Sequence, residues 1–114
     1  MTRTDVILLE DVLESIAQIQ AYTEGIDLQA FSEDRRTQDA VLRRLEIIGE
    51  AVKGLSAELR ERHPDVPWKE IAGARDVLVH EYFRVDLRLA WDMVQFDVPA
   101  LARQVEKVLD YLRR

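Results

Sequence analysis

Residues 34–59 read DRRTQDAVLRRLEIIGEAVKGLSAEL, and six apolar side chains within them, Val41, Leu45, Ile48, Val52, Leu55 and Leu59, recur at intervals of three or four. That spacing is nearly heptad and lines one side of an α-helix, while charged residues fill half of the other positions. A helix with one apolar seam must bury it, so the stretch predicts a helical bundle. Ser32 is placed to cap this helix, because its hydroxyl can accept from an otherwise unpaired amide of the first turn. The glycines of GEAVKG (49–54) fall inside the seam and form no phosphate-binding loop.

Working outward, the pattern repeats on both sides. Thr4 is a candidate cap for a first helix with Asp5 in its opening turn; Val6, Leu9, Leu13, Ile16 and Ile19 form its stripe, and Gly25 ends it near Thr23 or Glu24. GIDLQAFSED (25–34) reads as a short polar link. Downstream, RHPDVPWKE (62–70) breaks the periodicity. His63 precedes Pro64, and Pro67 suits the first turn of a third helix running from about Trp68 toward His80. Asp86 is placed to cap a fourth helix, DLRLAWDMVQF. Asp97 and Pro99 restart or kink the chain into a last helix, where Leu101, Val105, Val108 and Leu112 face inward. The expectation is an all-α fold: one domain over residues 1–114, a bundle of four to five antiparallel helices.

Composition narrows the classes of function. A chain of 114 residues with 47% hydrophobic content can bury roughly two thirds of its unfolded surface and needs no staples. There is no cysteine, hence no disulfide framework and no thiolate metal site, and His63 and His80 are too far apart for familiar metal-ligand spacings. No cofactor and no metal is expected. The first twenty residues are too charged for a signal peptide or membrane span, which places the chain in the cytoplasm by elimination. A net charge of −6 and a pI near 4.9 argue against a broad basic face on duplex nucleic acid, so any RNA contact must be local. Arg36, Arg43 and Arg44 are the candidates: Arg36 and Arg43, seven apart, share a helix face, although such a cluster can equally be a solvated surface. Trp68, Trp91, Phe83 and Phe96 read as core or subunit contacts, and His63 as a loop residue before proline.

One run does not read as packing. In GARDVLVHEYF (73–83), Arg75, His80 and Tyr82 form the pattern R-x4-H-x-Y, with Asp76 directly after the arginine. A neutral-range imidazole can take a proton from a ribose 2′-hydroxyl or give one to a leaving 5′-oxygen. A permanently charged guanidinium fork suits the charge that builds on a phosphorane. Such an attack needs no metal and leaves a 2′,3′-cyclic phosphate. Asp76 could orient either side chain or lie on the helix surface, and Tyr82 could be a packed ring with its hydroxyl in solvent.

This motif, with DRRTQDAVLRRLEIIGEAVKGLS and PWKEIAGARD before it, resembles the HepT-like family of the HEPN superfamily, and the similarity extends over essentially the whole chain. The resemblance implies a dimeric helical toxin, a metal-independent endoribonuclease paired with an MntA-type minimal nucleotidyltransferase antitoxin. It assigns Arg75 and His80 to catalysis and Tyr82 to adenylylation from ATP. An adenylate on Tyr82 would place negative charge beside Arg75 and exclude RNA phosphate.

Helical phase limits the picture. Arg75 and His80 stand about 140° apart on an ideal helix, whereas Tyr82 returns to within about 20° of Arg75. Either the helix bends near His80 or two copies meet across a twofold axis and build composite sites; the dimer is the preferred expectation. Two rivals remain: a non-catalytic HEPN module that binds a nucleotide or partner, and a structural oligomerisation bundle in which Arg75, Asp76 and His80 satisfy one another.

Overall fold

The computed structural model describes residues 3–80 and 87–114, with the side chains of residues 3, 75 and 77–80 outside that description. Four longer helices, α1 (Arg3–Thr23), α3 (Arg35–Lys53), α5 (Trp68–His80) and α7 (Val98–Leu112), carry the architecture. Short helices α2 (Leu28–Ser32), α4 (Ala57–Arg62) and α6 (Leu87–Asp92) sit at their junctions, so the described residues hold more helical segments than the four to five expected. All of this regular structure is helical.

In α1 the buried apolar residues are Leu9, Val12, Ile16 and Ile19, with Leu13 half-buried beside them. Thr4 lies inside the helix rather than capping it. Asp5, in the first turn, is 1% exposed and reaches across to α4, where Ser56 donates to it from its amide (2.9 Å) and its hydroxyl (2.7 Å). A buried carboxylate needs such donors, and these two tie the start of α1 to the start of α4. Gly25, with φ of 75°, adopts the left-handed conformation that ends α1 at little cost.

The expected polar link holds α2, capped by Asp27, whose side chain accepts from the Ala30 amide at 2.9 Å. It buries Phe31, which stacks in a tilted arrangement on Trp91 with ring centroids 5.2 Å apart. Ser32 therefore ends α2, and the cap of α3 is Asp34. Its carboxylate accepts from the amide of Thr37 at 3.0 Å and from its hydroxyl at 2.6 Å. Two donors from one residue favour the carboxylate over a single serine hydroxyl. The Thr37 hydroxyl, then its amide, and less strongly the Arg36 charge hold the Asp34 carboxyl below its ordinary pKa.

All six seam residues are buried, but they do not share one helix. α3 stops at Lys53 with Gly54 as its C-cap, and Ser56 starts α4 by accepting from the Leu59 amide at 3.2 Å. Leu55 and Leu59 continue the seam across this corner because the link keeps them on the core side.

Helix directions follow from a few contacts. The start of α1 meets the end of α3 through Asp5 and Ser56, and Arg113 at the end of α7 pairs with Glu10 at 2.9 Å. α1 is thus antiparallel to both. α5 begins at that same end: Trp68 is buried and donates from Nε1 to the His63 carbonyl at 3.0 Å, while Gln104 of α7 reaches the Asp65 carbonyl at 3.4 Å. It then crosses α3 at Gly49, where a Cβ would stand 3.3 Å from the Ala72 carbonyl oxygen, close enough to explain the glycine. Farther along, Leu45 of α3 and Ala74 of α5 line the same groove, so the two helices run antiparallel.

The last helix neither restarts nor takes a cap at Asp97, whose backbone is helical (φ −72°, ψ −42°). A π-helical turn, Met93–Asp97, carries α6 directly into α7. Pro99 lacks an amide and its ring crowds the carbonyl four residues back, and the wider turn before it relieves both. The expected cap Asp86 lies outside the described residues.

Candidate active site

The sequence WKEIAGARDVLVH forms α5, and its backbone is helical from Trp68 through His80. Register alone then separates the motif. By helical count Arg75 is in phase with Trp68 and Ala72, while His80 is in phase with Lys69, Gly73 and Asp76. Their positions differ by about 140° around the axis and about 7.5 Å along it, so the helix does not bring the two to one face. The side chains of Arg75 and His80, and all of Tyr82, lie outside the described residues. Asp76 is half-buried and engaged in an interaction.

The candidate arginines divide. Arg36 and Arg43 are exposed and share the face of α3 that points away from the core, as their spacing predicts. Asp39, Glu46 and Glu50 interleave with them, and Arg43 pairs with Glu46 at 3.3 Å. Arg44 is half-buried and sits off that face.

Trp68 and Trp91 take the packing roles expected of them, buried and half-buried respectively. Phe96 does not enter the core: it is 70% exposed, in the π turn. Phe83 is outside the described residues. His63 is more than a loop residue. It forms the C-cap of α4, its carbonyl accepts a hydrogen bond from the Trp68 indole N–H, and its ring stands edge-on to Tyr111 at 5.4 Å. Its buried Nε2 has no hydrogen-bond partner among the described residues.

Two features were not read from the sequence. A groove of about 580 Å³ opens between α3, α5 and α7, with Leu45, Ile48, Ile71, Ala74, Met93 and Leu101 among its lining residues. Glu70 and Asp97 also line it, as does Leu89, which is 39% exposed. The second is the position of Gly73 on α5, where an added Cβ would meet nothing within 4 Å among the described residues. The run Ala72, Gly73, Ala74 was the available signal, since three small residues in mid-helix leave a shallow surface. No three His, Cys, Asp or Glu side chains converge on a metal position among the described residues, and no helix there is long and apolar enough to cross a membrane.

Similarity to known proteins covers this architecture nearly end to end. The family model described as "Ribonuclease HepT-like" matches residues 12–108, a span that includes α5 and the whole R-x4-H-x-Y run. The chain is 44% identical over 108 residues to a protein of Thermococcus cleftensis named "Probable ribonuclease HepT", covering 95% of this chain and 98% of that one. It is 46% identical over 101 residues to a "Putative RNase" of Caldanaerobacter subterraneus subsp. tengcongensis, covering 89% and 90%. A Methanocaldococcus jannaschii protein named "Gamma-glutamylcyclotransferase and putative RNase" is 46% identical over 111 residues, 96% of this chain, which spans only half of that longer protein. No solved structure gives a significant match. On the extent of the family match and the near full-length relatives, the chain belongs to the HepT-like ribonuclease family.

Proposed function

We propose that this protein is a cytoplasmic toxin that cleaves RNA without a metal, using Arg75 and His80. The carrying observation is that the R-x4-H pattern falls on one continuous helix of a HepT-like ribonuclease chain. In the reaction, the ribose 2′-oxygen forms a bond to the adjacent phosphorus and the bond from phosphorus to the 5′-oxygen breaks. One proton leaves the 2′-hydroxyl and one reaches the departing 5′-oxygen, and the product carries a 2′,3′-cyclic phosphate. His80 is the residue for proton transfer and Arg75 for the phosphorane charge, with Asp76 supporting their orientation. Arg36, Arg43 and Arg44 are secondary phosphate contacts.

One straight helix holds Arg75 and His80 on different faces, and a homodimer resolves this by offering each site residues from two chains. The groove beside α5, with the exposed Leu89 in its lining, is the apolar surface a second copy would cover. Control is assigned to Tyr82, adenylylated by an MntA-type nucleotidyltransferase antitoxin. The test is coexpression with that enzyme followed by mass spectrometry. The chain should gain one or more adenylate units, Tyr82→Phe should block the gain and the neutralisation together, and an unmodified Tyr82 beside an inhibitory partner would reject this mode of control.

A further inference from the structure

We infer that two copies of this chain dock groove to groove about a twofold axis running along the groove, each inserting Phe96 into the groove of the other and setting Arg103 against its Glu70. The inference rests on the homodimer reading above and adds which residues one copy gives the other.

The chain carries both halves of the contact. The groove between α3, α5 and α7 holds about 580 Å³ and is lined mainly by apolar side chains. Phe96 does not line it but stands at its edge: in the π turn it lies between Met93 and Asp97 and one turn ahead of Ala100, and all three are lining residues. At 70% it is the most exposed large apolar side chain among the described residues. A lone exposed ring is ordinary on a monomer, but an apolar trough with an apolar knob on its rim is a surface able to pair with a copy of itself.

Charge fits the same pairing. Glu70 is the charged residue of α5 in the groove lining, exposed and without an ion pair among the described residues. Arg103 and Lys107 follow Phe96 by seven and eleven residues, which puts them on the same outer side of α7. Both are exposed and likewise unpaired among the described residues, and they outweigh Asp97, the one acid on the α7 edge of the lining. One edge of the groove is thus anionic and the other cationic.

Symmetry then fixes the register. α5 and α7 run antiparallel, with Gln104 against the Asp65 carbonyl just ahead of α5. A twofold axis along the groove lays the α7 edge of one copy on the α5 edge of the other and keeps each residue at its own height. Arg103 of one copy meets Glu70 of the other near the start of α5, and Phe96 enters farther along, beside Ala74. Ala74 precedes Arg75, so the second copy reaches the motif helix where the motif begins.

The test measures the dimer constant of the full-length protein by sedimentation equilibrium, with circular dichroism to show that each variant keeps its helices. Phe96→Ser should weaken the dimer about thirtyfold or more, because each substitution counts twice across the axis. Glu70→Arg and Arg103→Glu should each weaken it about threefold to tenfold, and combining them should restore the wild-type constant. A wild-type dimer whose constant is unchanged in Phe96→Ser, or charge variants that do not rescue each other, would overturn this pairing and leave the homodimer to another face. A wild-type chain that stays monomeric throughout the micromolar range would overturn the homodimer reading itself, and the pairing with it.

Discussion

Helices α3 and α5 lie against each other and use their sequences differently. α3 buries Val41, Leu45, Ile48, Gly49, Ala51 and Val52, is closed by Asp34 at one end and Gly54 at the other, and carries its charges on the opposite side. α5 is anchored by Trp68, then turns to half-buried Ile71, Ala72, Gly73, Ala74 and Asp76. A helix selected for packing shows its role in its periodicity. One that must leave room beside the chain does not, and what marks α5 is the spacing of chemically capable residues.

This contrast predicts that substitutions in α5 change activity with little effect on folding, and that those in α3 do the reverse. The largest effect belongs to the motif: His80→Ala should slow RNA cleavage by about 10²–10⁴-fold. Arg75→Ala should cost about 10²–10³-fold. Both should keep a cooperative thermal transition, and both should relieve growth inhibition in cells that lack the antitoxin. Variants that fold and remain fully toxic would break the comparison.

Next in size is Ile48→Ala in α3. The side chain is 3% exposed, and its loss should cost about 2–5 kcal/mol in denaturant unfolding. A result near zero would mean that the seam is not what holds α3.

The smallest effect concerns the α3 cap. Asp34 has a lowered pKa in the folded protein, so its contribution to stability is fully present above the ordinary carboxylate value near 3.9 and is lost as pH falls through the lowered folded value. Asp34→Asn should therefore flatten the acid limb of the stability profile below about pH 4 while shifting the neutral-pH midpoint only slightly. An unchanged acid limb would remove the carboxylate from the account of this cap.

The same contrast explains what could be read in advance. The seam from Val41 to Leu59 identified six buried residues because burial follows period. It hid the break at Gly54, since Leu55 and Leu59 keep the spacing through a corner. Ser32 and Asp34 are both good caps, and only the position of Thr37, able to donate twice, decides between them. Asp97 and Pro99 marked a disturbance ahead of the last helix but not its form, a π turn that carries α6 into α7 without a cap. Arg75, Asp76, His80 and Tyr82 stood out as types at a spacing. The surroundings of Gly73 did not, since whether it meets a described neighbour is fixed by where α3 crosses.

The most direct test of the central claim is to incubate the purified wild-type protein with a single-stranded RNA in excess EDTA and identify the new 3′ ends. The account predicts cleavage that persists in the chelator, ends in a 2′,3′-cyclic phosphate and disappears in His80→Ala. Cleavage abolished by EDTA, or products ending in a 3′-hydroxyl, would contradict it.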